Sequence, residues 1–397
     1  MDDVDLAVVG AGGAGLSVLV QLDRRLRAGL RPPTIALFDP VHRRGDDRTW
    51  CFWAPAGTEG ALDAAVHRSW SRVELVDVAG RSRLLTLDPL RYVMIRSSDF
   101  YRLAEEAVAR LGAVRVTGAV QEVAPGRVRV DGTDVRARWI LDSRPAAPAL
   151  PANTTLLQHF RGWSVRVERD LFDPDLPVLM DFSVPQPARG LAFGYVLPST
   201  GRRALVEYTQ FSPARLTDAD YDAALRDYLR QRFGLGPQDY AVEHVEDGAI
   251  PMTDAVHAVR IGPGSYRIGT AGGATRGSTG YTFAAMQRQA EVLAAALVAG
   301  REPQPPPAYP RRHRWMDAVM LRALDRGFTP GPELLVSLFA RNPPERVLRF
   351  LDGTTTPVDE LRVMATAPML AMTRASIGDV AARVTRRAHR GGRTRPA

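Results

Sequence analysis

The chain of 397 residues has no lysine; all 52 of its basic residues are arginine. Alongside abundant alanine, glycine and proline, this points to a GC-rich coding bias rather than a chemical demand. The basic isoelectric point near 10.1 therefore implies no nucleic-acid partner. Cys51 is the only cysteine, which excludes an intramolecular disulfide and a thiolate metal cluster. The seven histidines show no close metal-ligand spacing, so no metal site is expected. No apolar run reaches the ~18 residues that cross a bilayer, and VLAAALVAG is too short. Asp2, Asp3 and Asp5 are the wrong opening for a secretory leader, so a cytoplasmic protein not integral to a membrane is expected.

Charge is unevenly spread. Beyond Asp379 the chain carries six arginines and no acid, so removing that end takes the net charge from +8 to +2. This basic tail, 381–397, reads either as a solubilising end or as a weak adhesive for anionic lipid. The remainder has ordinary globular composition, with 45% apolar and 24% charged residues.

The strongest local signal is VDLAVVGAGGAGLSVLVQLDRR. An apolar strand (4–9) enters Gly10-x-Gly12-x-x-Gly15 and a helical apolar pattern follows. Gly10 permits the tight turn, Gly12 admits a pyrophosphate, and Gly15 allows close helix–strand packing. A second strand, TIALFD, ends in Asp39, 24 residues after Gly15 and placed to accept from a ribose hydroxyl. The chain does not continue as a simple βαβ series. Arg96 precedes an amphipathic helix, strands form around Val120, and ARWILDSRP is a buried strand ending in Asp142. Asp142 reads either as a cofactor contact or as a turn acid.

Far along the chain, SYRIGTAGGATRGSTGYTFAAMQRQAEVL reads as a strand, a glycine-rich loop and a long helix. Gly269, Gly272, Gly273 and Gly280 leave room for a flat ring, and the helix N-terminus offers it a positive dipole end. With Arg48, Val120 and Thr279, these residues form the candidate cofactor set, and the cofactor is read as FAD. The expected fold is α/β: a Rossmann-like FAD/NAD(P)-binding domain of glutathione-reductase or hydroxylase type, interleaved with a mixed-sheet substrate domain and a helical region. The expected boundaries are 1–60, 93–150 and 260–303 for the first, 61–92 and 151–259 for the second, and 304–380 for the helices.

In RRALVEYTQF, alternation puts Leu205, Glu207, Thr209 and Phe211 on one strand face. A carboxylate among apolar neighbours is either salt-bridged to one of the many arginines or held there for chemistry.

VVGAGGAGLS, RTWCFW, VMIRSSDFY, VLMDFSVPQ, FGYVLP, ALVEYTQFS, IPMTD, STGYTF and FLDGTTTPVDELRVM occur in order across residues 4–370. Together they resemble the flavin-dependent lycopene cyclases of the soluble, β-ring-forming type. The resemblance implies a non-redox cyclisation of a linear polyene by a reduced-FAD enzyme, with NADPH or another reductant as electron source. It implies that Glu207 is the catalytic acid, with Asp181 a second functional carboxylate. Trp50, Phe52, Trp53, Trp163 and Tyr195 are candidates to face the carbocation. One departure is Gly277, where the family commonly has proline. A bilayer-dwelling substrate further implies peripheral membrane contact, with the helices around WMDAVMLRALDRGF and PELLVSLFARNPPERVLRFLDG as candidates, or else as helices packed on the sheet. Three other readings stay open: a flavin-dependent polyene-binding or scaffold protein without turnover, against which Asp181 and Glu207 together speak, the same chemistry on another terpenoid, and an FAD monooxygenase. Thr270 after Gly269 speaks against the last, which usually has Gly-Asp there.

Overall fold

The computed structural model describes residues 3–26, 31–42, 45–58, 60–145 and 150–379; the basic tail lies outside them. The strand Val4–Val9 pairs in parallel with Thr133–Asp142 on one side and Ile35–Asp39 on the other. The first and last of these, and the end of Thr133–Asp142 from Trp139 to Leu141, are apolar runs because helices and loops cover both faces of a parallel sheet. Val114–Thr117 extends this sheet at one edge and Ser265–Arg267 at the other, giving an eight-stranded Rossmann-like sheet. The helix Gly13–Leu26 packs against it. A β-carbon at Gly15 would stand 2.1 Å from the Gly10 carbonyl oxygen, so only glycine lets this helix approach its strand so closely.

A second, seven-stranded sheet runs in the order Tyr240–Thr253, Thr155–Val167, Arg203–Ser212, Leu191–Thr200, Val178–Asp181, Arg72–Val76, Ser82–Thr86. Its third strand, Arg203–Ser212, is buried on both faces. Val206 and Tyr208 point toward the helix Asp218–Phe233, with Trp163, Val196, Tyr221 and Leu229. A reciprocal Thr217–Asp220 capping box starts that helix and Gly234, at φ +68°, ends it. Burying Tyr221, Leu225, Tyr228 and Leu229 at helical spacing contributes roughly 1.5–3 kcal/mol per large apolar side chain. Leu205 and Phe211 point the other way, into a core shared with Trp53, Tyr92, Met94 and the C-terminal helices.

The antiparallel strands Thr49–Pro55, Leu90–Arg96 and Val66–Trp70 form a small ribbon that joins the two units. Its first strand alternates: Phe52 packs with the Rossmann-like core and Trp53 with the sheet core. The helices Arg311–Asp325, Gly331–Arg341 and Pro344–Asp352 bury Met316, Leu321, Leu335, Leu338 and Leu348 in that same sheet core. Their apolar faces are therefore used in packing on the sheet, the second of the two readings that the sequence left open. Trp315, on the first of these helices, is 42% exposed, and more exposed apolar side chains lie further on: Val358 and Leu361, then Met369, Leu370 and Ile377.

The same geometry separates two glycines of one motif. A β-carbon at Gly12 meets nothing within 4 Å, whereas one at Gly15 collides with backbone. Gly15→Val is expected to destabilise the fold by about 1–3 kcal/mol, the usual overpacking cost, while Gly12→Val leaves the melting temperature nearly unchanged. Thermal unfolding of the two variants without added cofactor checks the contrast.

Candidate active site

Strand register builds a row of side chains across the larger sheet. Gly162 pairs with Glu207 on one side and Glu246 on the other, and Glu207 pairs with Tyr195. Directly paired residues share a face, so Glu246, Gly162, Glu207 and Tyr195 all look toward the ribbon. Because position 162 has no side chain, space remains between the carboxyl groups. A β-carbon there would stand 3.4 Å from Glu246 Cγ and 3.6 Å from Glu207 Cβ.

Both carboxyl groups are buried, at 8% and 7% exposure. The Thr209 hydroxyl donates to Glu207 Oε1. Burial pushes Glu207 up to about 8, with the neighbouring Glu246 adding and the Thr209 bond opposing. The Thr49 hydroxyl donates to Glu246 Oε2 at 2.9 Å. Burial pushes Glu246 up to about 7, with Thr49 and the Arg48 charge opposing. Glu207 has no salt-bridge partner among the described residues, so the salt-bridge reading of this strand does not hold.

Aromatic rings surround the pair. The Tyr92 and Tyr195 hydroxyls are 2.5 Å apart, and Trp53 packs at 5.4 Å from Tyr92 and 5.0 Å from Tyr281. Burial pushes the Cys51 thiol up to about 12, with the Tyr195 and Tyr92 hydroxyls opposing and both glutamates adding. It stays a thiol rather than a nucleophilic thiolate. Trp163 is a correction: it faces the opposite side of the sheet, near Tyr240. Trp50 is another, since it stacks on Phe283 at 5.2 Å in the Rossmann-like core, where Phe52 also sits.

Asp181 is the larger correction. It is fully buried on the face opposite Glu207. It accepts from Ser183 N at 3.0 Å and from the Tyr228 hydroxyl at 3.1 Å, with Arg232 at 3.6 Å. Those bonds tie the helix Asp218–Phe233 to the sheet, and Asp181 cannot share a proton with Glu207. Sequence reading missed Glu246. Its signal was VEDGAIPM, in which alternation puts Glu246 on the face of Ile250 and Met252.

The two glycine-rich loops meet. Gly269, at φ +62°, comes so close to the first helix that a β-carbon there would stand 2.7 Å from Ala14 Cβ. Gly272 approaches the Arg267 carbonyl, and Gly273 and Gly280 adopt positive φ. The departure at Gly277 has a steric reason: a β-carbon would stand 2.7 Å from the Thr253 carbonyl oxygen. The helix Phe283–Val298 begins directly after this loop. Thr279 turns inward to the Leu351 carbonyl at 3.3 Å. Buried Arg276 pairs with Asp317 at 3.0 Å, and Ser278 donates to the same carboxylate at 2.7 Å, so the loop is anchored to the C-terminal helices. Asp39 accepts from Ala11 N at 2.6 Å and Val41 N at 2.8 Å, holding the first glycine loop. Asp142 and Val120 are joined through Arg144, which donates to the Asp142 carboxylate at 2.9 Å and to the Val120 carbonyl at 2.6 Å. Arg48 donates to the Asp247 carbonyl at 2.7 Å. Arg96 pairs with Asp99 at 3.2 Å, half-exposed at the same end of the ribbon.

A testable consequence concerns stability. The Glu207 carboxyl is raised from 4.5 to about 8 on folding, so the folded state holds this proton more tightly than the unfolded chain. Stability is then fully present below about 4.5, the unfolded value, and is lost as pH rises through 8. Glu207→Gln removes this dependence. The variant is expected to melt several degrees above wild type at pH 8.5, a gap that closes near pH 5. A tenfold difference in proton affinity between the folded and unfolded states corresponds to about 1.4 kcal/mol. Parallel melting curves at the two pH values check it.

Comparison with known proteins follows the same lines. No individual curated protein matches the chain. Three solved structures share the fold at low identity. A geranylgeranyl bacteriochlorophyll reductase-like protein from Thermoplasma acidophilum is 14% identical, with 94% of this chain and 98% of that chain covered and a TM-score of 0.58. The p-nitrophenol 4-monooxygenase of Pseudomonas putida DLL-E4 is 14% identical, with 95% and 98% covered and a TM-score of 0.58. The flavin-dependent monooxygenase PieE, in complex with FAD and substrate, is 15% identical, with 94% and 72% covered and a TM-score of 0.58. The model of the lycopene cyclase protein family matches residues 5–377, nearly the whole described chain, and this chain belongs to that family.

Proposed function

We propose that the protein closes the linear ψ-ends of a polyene such as lycopene into β-rings, without net redox change, while holding reduced FAD. The observation that carries this reading is Glu207: a carboxyl group kept protonated near neutrality on an apolar, aromatic-lined face. Protonating an alkene near neutral pH requires a donor that still holds its proton there and is shielded from water, and burial supplies both. The Glu207 O–H bond breaks as a C–H bond forms at the terminal double bond. The resulting cation is attacked by the next double bond, closing the ring, and a neighbouring C–H proton is then lost. Atoms and charge balance, so the reaction is an isomerisation. Tyr195, Tyr92 and Trp53 offer π-faces to the cation, and Cys51, held as a neutral thiol, does not trap it.

The chain's own residues fit FAD. Gly12 leaves open space beside the first helix N-terminus, where a pyrophosphate would lie. Asp39 would accept from a ribose hydroxyl, and the Val120, Asp142 and Arg144 group would meet the adenosine end. The buried Gln158 Oε1 has no hydrogen-bond partner and lies against Gly280, in the loop that would take the flavin ring. Reduced FAD, when bound there, would supply negative charge that favours a cation, and NADPH or another reductant would keep it reduced. A fold shared with an FAD-bound monooxygenase supports this cofactor.

The substrate lives in a bilayer, so the enzyme is proposed to dock peripherally. Leu361 and Leu370, 64% and 85% exposed, would enter the interface beside the exposed Arg362 and Arg374.

Four outcomes are expected. Gly12→Val should fold but purify without flavin, read by absorbance; a full complement of FAD would contradict the placement. Under anaerobic reducing conditions in deuterium oxide, wild type should place solvent deuterium in the product ring. There, Glu207→Gln should lose about 10²–10⁴-fold in turnover with FAD still bound; stoichiometric reductant consumption with oxygen incorporation would instead indicate a monooxygenase. Leu361→Glu with Leu370→Glu should lower flotation with anionic vesicles, and unchanged flotation would remove the docking face.

A further inference from the structure

The reaction proposed above needs a base as well as an acid, and that base must stand near the acid without neutralising it. The row across the sheet contains one other carboxylate, Glu246, two strands from Glu207 with the bare backbone of Gly162 between them. The titratable groups beside Glu207 include Cys51, Tyr92 and Tyr195, which burial keeps neutral, so none of the three is a base near neutral pH. His159, on the neighbouring strand, faces the opposite side and is bonded to Tyr221 and Ser212.

The environments of the two carboxyl groups differ in a directed way. Glu246 accepts from Thr49 and feels the Arg48 charge, which favour its ionised form and outweigh the opposing charges of Asp46 and Asp47. Glu207 has the Thr209 hydroxyl alone and no cation. Two carboxyl groups this close hold one proton between them more cheaply than none, and the asymmetry puts that proton on Glu207. An acid beside an ionised partner is the starting state that protonation followed by deprotonation requires.

We propose, resting on the cyclase reading, that Glu246 is the catalytic base: it removes the proton released after ring closure and returns it across Gly162 to Glu207. In atoms, the Glu207 O–H bond breaks and a substrate C–H forms. A second substrate C–H then breaks, its electron pair forms the ring double bond, and the proton goes to Glu246. Transfer of that proton from Glu246 to Glu207 restores both residues with no oxidant or reductant consumed. The small residue at position 162 is part of the device, because any side chain there would fill the gap.

The test compares Glu246→Gln and Thr49→Val, both loaded with reduced FAD and assayed anaerobically with lycopene. The glutamine amide oxygen still accepts from Thr49 and removes a buried charge, so the variant should fold; its melting temperature and flavin content verify this. Expected for Glu246→Gln is a loss of at least about 100-fold in turnover, with part of the residual product carrying its new double bond elsewhere because the cation loses a different proton. Thr49→Val breaks the bond between the strands but leaves the base, and is expected to lose less than about tenfold, with the double bond unmoved. If Glu246→Gln keeps more than a tenth of wild-type turnover, or if Thr49→Val loses as much as Glu246→Gln, Glu246 is only a strut between strands and the assignment fails. A wild type that does not cyclise lycopene or a related polyene overturns the cyclase reading, and this assignment with it. A cyclising wild type with an active Glu246→Gln overturns this assignment alone.

Discussion

A carboxyl group removed from water without a cation to meet it must hold its proton, and the arrangement of this protein's site depends on that constraint. Glu207 sits in an interior strand buried on both faces, looking into a core of leucine, phenylalanine and tyrosine. Desolvation disfavours its charged form, and a second carboxylate across Gly162 disfavours it further. The chain carries 52 arginines, yet none is paired with Glu207 among the described residues. An arginine there would stabilise the carboxylate and remove the acid.

The rest of the fold keeps this environment dry and fixed. Asp181, Tyr228 and Arg232 clamp one helix to the far side of the sheet, which fixes the backbone from which Glu207 projects. On the near side, the three-stranded ribbon brings Cys51, Trp53 and Tyr92 over the carboxyl pair, and Thr49 bonds to Glu246. The glycine loop 269–280 is pinned by the buried Arg276–Asp317 pair. Breaking such a pair is costly because it leaves one charge buried alone. The loop, the ribbon and the C-terminal helices therefore form one packed unit around the site.

Much of this was legible in the sequence, for identifiable reasons. The nucleotide loop was readable because Gly10, Gly12 and Gly15 answer separate steric demands, each of which the structure shows as a turn, an open space and a close contact. The face of Glu207 was readable from the period of a strand. What was not readable was which strands lie side by side. Asp181 and Glu207 belong to one sheet, but the chain reaches Asp181 through another pairing, and its side chain emerges on the other face. Glu246 lies 39 residues beyond Glu207, and only the pairing of both with Gly162 makes them neighbours. Likewise, the apolar faces of the C-terminal helices look the same in sequence whether they meet lipid or a sheet; packing against Leu191 and Phe193 decides it.

The central claim is that one proton resides on the Glu207–Glu246 pair at neutral pH, held chiefly by Glu207. Infrared difference spectroscopy of wild type against Glu207→Gln at pH 7 reads this directly, since a protonated carboxyl group has a carbonyl stretch distinct from that of a carboxylate. A protonated-carboxyl band is expected in wild type that shifts in deuterium oxide, loses its larger component in Glu207→Gln and fades as pH is raised past about 8. A wild-type spectrum at pH 7 with only carboxylate bands from this pair would contradict it.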